Sequence, residues 1–327
     1  MSKKSPEHIV VSRNDAVGDV ILALPVCGLI KKHYPGAKVS ILGRSYTREV
    51  ALSSRFVDGF INEDDWQGLG KREIADKLRD ENIDAIVFLR PEKRLASIAK
   101  TARIAIRIGT ANRVYHWFSC NKLIPLSRKN SPLHEAQLNS KLLAGLRIQE
   151  DLSLNDIPQY YGLERLSPLL ADYEKLLSPN KFNLILHPKS HGNSLEWGLH
   201  NFETLVSMLD RERFNIFITG STKERSALAE WISKQGDKVT DITGMFSLTQ
   251  FIAFINRCNG LVAASTGPVH IAAALGIHTL GLYSDIRTKE GHRWGPVGEQ
   301  AEYLQCTNAD MDTISPRAVA DRIESWL

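Results

Sequence analysis

Short apolar runs alternate with amphipathic stretches along almost the whole chain. The runs are rich in Val, Ile and Leu, as in strands buried on both faces, and the stretches between them have helical periodicity. In the first half, the pattern predicts strands at residues 8–12, 39–42, 59–61, 85–89 and 104–107. Pro25 is expected to kink or restart the first helix, and a longer helix is predicted at 134–146. This alternation predicts a parallel sheet covered by helices.

The pattern starts again after a polar, irregular stretch from Gln149 to about Asn180. Strands are predicted at residues 183–187, 214–218, 261–264 and 279–283, and a last helix at 316–326. A chain of 327 residues is long for one hydrophobic core. We therefore predict an α/β protein with two doubly wound domains, residues 1–165 and 166–327.

The composition narrows the class of protein. With 43% hydrophobic and 24% charged residues, it is typical of a soluble globular protein. The four cysteines are widely spaced and form no CxxC pair, so we predict free thiols in a reducing compartment. No apolar stretch suits a signal peptide or a membrane span, which predicts a cytoplasmic protein. A net charge of +4 is too small to indicate nucleic-acid binding but is compatible with an anionic substrate or membrane surface.

The most informative stretch of the chain is STGPVHIAAALG, at residues 265–276. It follows a buried strand and ends in glycine, so it predicts a tight turn and a helix. Thr266 is expected to cap this helix and Pro268 suits its first turn. The amides at the start of a helix bind phosphate, and His270 could add a donor. An ordinary capped helix with a solvated histidine is the alternative.

Three other loops follow predicted strands, where open α/β sheets bind ligands. Asp19 is expected to act as a base on a bound hydroxyl, or only to stabilise the start of a helix. The loop at 187–197 carries a lysine, hydroxyls and a glycine, which predicts phosphate binding. Glu224, in the loop at 219–225, could hold ribose hydroxyls or simply lie exposed.

Missing motifs exclude other chemistries. No GxGxxG follows a strand, which argues against a nicotinamide or flavin enzyme, and His134-Glu135 lacks the second histidine of a zinc protease. Asp310-Met311-Asp312 spells DxD but lies just before the last helix, so we interpret it as capping. We predict no metal and no cofactor.

The VGDV motif at residues 17–20, the loop at 187–197 and the STGPVH motif at 265–270 together resemble glycosyltransferase family 9, the ADP-heptose:lipopolysaccharide heptosyltransferases. The resemblance covers nearly the whole chain. It implies a GT-B fold, with two Rossmann-like domains facing a central cleft. The acceptor would bind the N-terminal domain and the nucleotide sugar the C-terminal domain, in a metal-independent inverting transfer of heptose to the lipopolysaccharide inner core.

The resemblance also implies roles for particular residues. Asp19 would be the general base. The donor would be ADP-heptose, bound by Lys189, Ser190, Ser194, Glu224, Ser265, Thr266, Gly267, Pro268 and His270. The acceptor, a Kdo or heptose unit of the core, would be bound by Gly18, Arg90, Lys93 and Arg94. Arginine suits the carboxylates and phosphates of this acceptor, although an ordinary solvated helix start explains the last three residues as well.

The chain departs from the family pattern at two places. Many relatives carry an aspartate where this chain has Ser265. Many also place a lysine shortly before the tryptophan of the second loop, where this chain has Ser194-Leu195-Glu196, so either Lys189 or His191 would supply that charge. These differences leave open a transferase for another nucleotide sugar, a sugar-nucleotide epimerase, or a non-catalytic protein that binds sugar nucleotides.

Overall fold

The computed structural model describes residues 5–129, 131–190, 192 and 194–327. The chain divides into two compact units, Met1–Arg165 and Leu166–Leu327. Within the described residues, each unit contains a six-stranded sheet whose paired strands are all parallel. The α/β class with two doubly wound sheets is therefore confirmed.

In the first unit, the strands run in the order β3-β2-β1-β4-β5-β6. They are β1 (His8–Ser12), β2 (Lys38–Gly43), β3 (Gly59–Asn62), β4 (Ala85–Phe88), β5 (Ile106–Thr110) and β6 (Lys122–Ile124). The helices are α1 (Val17–Ile21), α2 (Leu24–His33), α3 (Arg48–Leu52), α4 (Lys71–Asp80), α5 (Lys93–Thr101), α6 (Val114–Ser119) and α7 (Glu135–Lys141). The strand order reverses between β1 and β4, so the loops after these two strands lie where such sheets bind ligands.

In the second unit, the order is β12-β11-β10-β7-β8-β9, and the reversal falls between β7 and β10. The strands are β7 (Phe182–His187), β8 (Phe214–Ile218), β9 (Thr240–Asp241), β10 (Gly260–Ala264), β11 (His278–Tyr283) and β12 (Ala301–Gln305). The helices are α8 (Ala171–Glu174), α9 (Leu199–Met208), α10 (Arg225–Gln235), α11 (Leu248–Ile255), α12 (Gly267–Leu275), α13 (Gly291–Trp294) and α14 (Pro316–Glu324).

The buried residues follow the predicted apolar runs. All five residues of β1 and all five of β10 are buried, as expected for central strands covered on both faces. In the second unit, Trp197 packs in the core with its indole Nε1 donating to the Ile314 carbonyl at 2.7 Å. The four cysteines are buried free thiols, as predicted.

Several elements differ from the sequence prediction. The fifth strand begins two residues later than expected, because Arg103 adopts a left-handed conformation (φ 63°) that ends α5 and shifts the chain. The helix expected at 134–146 is α7 followed by a 3-10 turn, Leu142–Leu146, in which Gly145 packs against Ile108. Pro25 restarts the first helix as α2. The edge strands β6, β9 and β12 were not predicted, because β6 and β9 have only three and two residues and β12 is partly exposed along its length.

Candidate active site

A buried arginine organises the loop after β1. The Arg13 guanidinium lies 2.6 Å from Oδ1 of Asp15 and 3.2 Å from Oε1 of Glu135, and it also donates to Oδ1 of Asp19. Arg13 is buried, so these contacts form in a region of low dielectric, where a cation strongly influences neighbouring carboxylates. The loop therefore holds Asp19 in a fixed ionic environment.

Asp19 lies in the first turn of α1, and its side chain is 20% exposed. Burial raises the pKa of its carboxyl above the usual value. The Arg13 guanidinium opposes this shift, while the negative charges of Asp15 and Glu135 add to it. A carboxylate with a raised pKa that solvent can still reach is a better proton acceptor than an ordinary surface aspartate. Gly18 lies buried beside it in α1.

Sequence patterns did not indicate Glu135, which contacts Arg13 from α7. Glu135, at the start of α7, is buried, and its Oε1 also accepts from Nε of Arg128 at 3.0 Å. Asn139, one turn later, accepts from Arg128 Nη2 at 2.9 Å and donates to the Leu22 carbonyl at 3.2 Å. Glu135 and Asn139 lie four positions apart and therefore share one face of α7. Two polar residues on a helix face that packs against the core are the sequence feature that could have indicated their role.

Two of the three predicted acceptor cations join the same edge of the sheet. Arg90 donates to Oδ1 of Asn14 at 3.2 Å, and its Nε lies 3.9 Å from Oδ2 of Asp15. Arg94 pairs with Glu63 at 3.0 Å. Lys93 is the exposed first residue of α5. Asn14, in the loop between β1 and α1, accepts from Arg90 and donates at 2.6 Å to Glu63, the partner of Arg94. Both arginines are therefore connected to the loop that leads into the helix of Asp19.

In the second unit, the loop after β7 holds its lysine against an acid of the same loop. The Lys189 ammonium lies 2.8 Å from Oε2 of Glu196. Ser190 donates its amide to Oε1 of Glu196 at 3.0 Å and its hydroxyl to the Ser194 carbonyl at 3.1 Å. The Ser194 hydroxyl is buried with no hydrogen-bond partner among the described residues. His191 lies outside the described residues.

Glu224 is buried and stabilises its own turn. Its Oε2 accepts from the amide of Ser221 at 2.8 Å and from the hydroxyl of Ser221 at 2.9 Å. The alternative of an exposed glutamate is therefore wrong, while its contact with ribose stays a prediction. Nearby, His187 Nδ1 and Thr219 Oγ1 lie 2.8 Å apart and join the ends of β7 and β8.

The start of α12 differs from the prediction in one respect. Thr266 occupies the capping position with extended backbone (φ −141°, ψ 166°), but its side chain makes no capping hydrogen bond. Its Oγ1 is buried and has no partner in the part of the chain that the structure describes. The expectation that the Thr266 side chain caps the helix is wrong, because its hydroxyl accepts no hydrogen bond from the first-turn amides. The side chain of Thr266 therefore leaves the amides of the first turn uncapped.

The flanks of this turn are fixed by the fold. Tyr283, at the end of the neighbouring strand β11, is buried and its hydroxyl donates to the Trp294 carbonyl at 2.7 Å. Gly267 begins α12 and Pro268 occupies its first turn. His270 is buried one turn into the helix. The residues predicted to bind the nucleotide sugar, 265–270, therefore form one continuous segment at the carboxyl end of β10.

The DxD sequence is structural. Asp310 accepts from the amide of Asp312 at 3.1 Å and caps a 3-10 turn. Oδ1 of Asp312 accepts from Asn201 at 2.7 Å and lies 3.0 Å from His200 Nε2. The capping interpretation of Asp310 is confirmed.

Comparison with known proteins identifies the class of this chain. Its sequence matches the model of glycosyltransferase family 9 (heptosyltransferase) over residues 71–320. A Haemophilus influenzae protein named in general terms as a glycosyltransferase is 23% identical over 91% of this chain and 88% of its own length. The lipopolysaccharide core heptosyltransferase OpsX of the same organism is 22% identical over 86% and 80%. The protein is a glycosyltransferase. It belongs to glycosyltransferase family 9, the heptosyltransferase family.

Solved structures share its fold. The glycosyl transferase family 9 protein of Veillonella parvula superposes with a TM-score of 0.81 at 18% identity, over 98% of this chain and 97% of the other. The Escherichia coli heptosyltransferase WaaC with ADP-2-deoxy-2-fluoro heptose superposes with a TM-score of 0.73 at 14% identity, over 97% and 99%. Among the described residues, no helix is long and apolar enough to cross a bilayer.

Proposed function

We propose that this chain is an inverting, metal-independent heptosyltransferase that moves heptose from ADP-heptose to a Kdo or heptose unit of the lipopolysaccharide inner core. The first unit would bind the acceptor and the second the nucleotide sugar. Support comes from the family, from the lipopolysaccharide core named for the OpsX relative, and from the ADP-heptose analogue named with WaaC.

The observation that carries the proposal is the environment of Asp19. Its carboxylate takes the proton of the acceptor hydroxyl as that oxygen attacks the anomeric carbon of the donor. The bond between the anomeric carbon and the diphosphate oxygen breaks on the opposite face, so the sugar configuration inverts and ADP leaves. Arg13 orients the Asp19 carboxylate, and burial, with smaller contributions from the charges of Asp15 and Glu135, keeps its pKa raised.

The leaving diphosphate gains negative charge as that bond breaks, so groups aimed at it stabilise the transition state more than the bound donor. In this chain, the first-turn amides of α12, the unpartnered Thr266 hydroxyl and Lys189 supply that stabilisation. His270 adds a further donor to the diphosphate, and Glu224 accepts from the ribose hydroxyls. Because amides and cations match the charge, transfer needs no metal ion.

The acceptor is anionic, and its carboxylates and phosphates suit Arg90, Lys93 and Arg94 beside the Asp19 loop. Gly18 lets the acceptor sugar approach the backbone next to the base. An acceptor built on a lipid also brings the enzyme into peripheral contact with an anionic membrane surface.

The experiment that tests this function offers the protein several nucleotide sugars with and without lipopolysaccharide truncated in the inner core, followed by mass spectrometry of the acceptor. We expect a heptose added only when ADP-heptose and the acceptor are both present. Addition of a different sugar would change the donor assignment. Binding of ADP-heptose with no transfer to any truncated acceptor would overturn the catalytic proposal.

A further inference from the structure

Helix α6 presents its apolar side chains to solvent. Val114, Trp117 and Phe118 follow the i, i+3, i+4 spacing that normally faces a protein core, yet they are 68%, 61% and 72% exposed. The opposite face of the same helix buries two polar residues, His116 and Ser119. The helix therefore exposes its apolar face and buries its polar face, which is the reverse of an ordinary surface helix.

Contacts with the rest of the unit fix this orientation. His116 is fully buried, its Nδ1 lies 3.0 Å from the Thr110 carbonyl, and its ring packs where a Cβ on Gly109 would approach within 2.5 Å. On the exposed side, Lys100 donates to the Phe118 carbonyl at 2.7 Å and Trp117 Nε1 donates to the Ala111 carbonyl at 2.7 Å. Rotating the apolar stripe inward would break these contacts, so its exposure is built into the fold.

The charge of the surrounding segment is one-sided. Residues 93–134 contain none of the 37 Asp and Glu residues of the chain but nine of its 41 Lys and Arg residues. The nine are Lys93, Arg94, Lys100, Arg103, Arg107, Arg113, Lys122, Arg128 and Lys129. Arg113 directly precedes α6, and Lys122 lies in the edge strand β6 that follows it; both are exposed and form no ion pair among the described residues. Arg94 pairs with Glu63 and Arg128 with Glu135, whereas Arg113 and Lys122 place exposed positive charge before and after the apolar stripe along the chain.

We propose that this α6 surface, made of Val114, Trp117 and Phe118 with Arg113 and Lys122, docks on an anionic lipid bilayer. Tryptophan and phenylalanine are favoured at the boundary between head groups and acyl chains, and neighbouring cations are attracted to anionic head groups. The inference assigns a location to the membrane contact proposed above, and it rests on that proposed function only for the lipid-linked acceptor.

The charge distribution favours a membrane over a second copy of the chain. A symmetric dimer through α6 would place two equally basic surfaces against each other, and like charges across an interface oppose association. An exposed apolar patch marks an interaction surface. An anionic lipid bilayer provides both an apolar layer for the patch and charge opposite to that of the neighbouring cations. Docking of this surface would hold the first unit at the membrane.

Vesicle flotation tests the proposal. The wild-type protein is expected to float with vesicles of phosphatidylcholine containing about 30% phosphatidylglycerol and to bind pure phosphatidylcholine vesicles much more weakly. The double variant Trp117→Ser with Phe118→Ser is expected to bind the anionic vesicles at least about tenfold more weakly. Leu170→Ser, which removes an exposed leucine (56%) from the second unit, is the matched control and is expected to bind like wild type.

Two further variants separate the apolar and basic contributions. Trp117→Phe keeps the apolar surface, so it should bind normally while losing the blue shift of tryptophan emission that wild type shows on anionic vesicles. Arg113→Gln with Lys122→Gln should weaken binding by roughly fivefold for each cation removed. Lys175→Gln with Arg317→Gln, at exposed positions of the second unit, should leave binding unchanged.

The outcomes distinguish this surface from the proposed reaction. Asp19→Asn should still float with vesicles although transfer is lost, and the Trp117→Ser, Phe118→Ser variant should still act on a water-soluble acceptor without acyl chains. Wild type that fails to bind anionic vesicles, or a folded double variant that binds them as tightly as wild type, would overturn the proposal. A wild-type dimer that the double variant converts to monomer, without vesicle binding, would assign the surface to self-association instead.

Discussion

The Lys189 ammonium lies 2.8 Å from a carboxylate oxygen of Glu196, and the other oxygen of that carboxylate accepts from the Ser190 amide at 3.0 Å. The cation that we assign to the diphosphate is therefore already paired with an acid of its own loop. Both side chains remain partly exposed. An incoming diphosphate would compete with Glu196 for Lys189. Glu196 therefore determines how much of the positive charge of Lys189 is available to the nucleotide-sugar donor.

Lys189→Met, which keeps the side-chain stem and removes the charge, is expected to weaken ADP binding modestly and to lower turnover more. The lysine acts on the leaving group most strongly when that group gains charge. Calorimetry with ADP and steady-state kinetics measure the two effects. Glu196→Gln keeps an oxygen for the Ser190 amide and removes the competing charge, so it should bind ADP more tightly than wild type.

The rival for this role is His191, which lies outside the described residues. A Lys189→Met enzyme with normal ADP affinity and turnover, together with a His191→Ala enzyme that has lost both, would transfer the role to the histidine. In that case, Lys189 serves only to hold Glu196 in the loop.

Thr266→Val tests whether the buried Thr266 hydroxyl, which has no partner among the described residues, binds the nucleotide-sugar donor. The variant keeps the shape of the side chain, so we expect no fall in melting temperature but about a tenfold or greater loss of ADP affinity, as for one hydrogen bond to a charged group. Thr279→Val is the control. Its hydroxyl donates to the Ile277 carbonyl at 2.9 Å, so this variant should lose stability and keep ADP affinity. The reverse pattern would exclude Thr266 from the donor site.

Glu135→Gln tests the electrostatic environment of the base. The negative charge of Glu135 contributes to the raised pKa of Asp19. Its removal should lower that pKa, so the acid limb of the kcat/KM profile should move to lower pH. Glu92→Gln is the control, because Glu92 accepts from Asn14 at 2.7 Å, whereas Glu135 accepts from Arg13. An acid limb that does not move in Glu135→Gln would show that another group controls it.

Chelation tests whether amides and side-chain cations, rather than a metal ion, stabilise the negative charge of the diphosphate. Transfer should continue at an unchanged rate in excess EDTA, and added magnesium or manganese should not increase it. A metal-dependent glycosyltransferase assayed in parallel should lose its activity under the same conditions. Loss of transfer by EDTA with recovery on adding metal would contradict the assignment and return attention to Asp310 and Asp312.

The fold was largely predictable because apolar runs in this chain coincide with the central strands. β1, β4, β7 and β10 are buried on both faces, so each contains an unbroken apolar run: IVV, AIVF, LIL and LVAA. The edge strands β6, β9 and β12 escaped prediction because they are partly solvated, as in the exposed Lys122 and Leu123 of β6, whereas the edge strand β3 was predicted. A local pattern carries little information about such strands, since neighbouring segments decide whether they pair.

The site was less predictable than the fold. Asp19 and the 265–270 segment follow strands directly, so their positions could be expected from sequence. The contacts of Arg13 with Glu135 join residues 122 positions apart, and only tertiary packing brings them together. Likewise, the spacing of Val114, Trp117 and Phe118 indicates a buried helix face, whereas the fit of His116 against Gly109 turns that face outward.

The most direct test of the account is the turnover of Asp19→Asn with ADP-heptose and truncated lipopolysaccharide, measured beside its affinity for ADP. We predict normal ADP affinity and a fall in kcat of about a hundredfold or more, as for removal of a general base. Because burial raises the pKa of Asp19, wild-type activity should also fall at a higher pH than an exposed aspartate would give as the medium is acidified. Asp15→Asn, which alters another partner of Arg13, should retain most of its turnover. Near wild-type turnover in a correctly folded Asp19→Asn enzyme would show that Asp19 is not the general base.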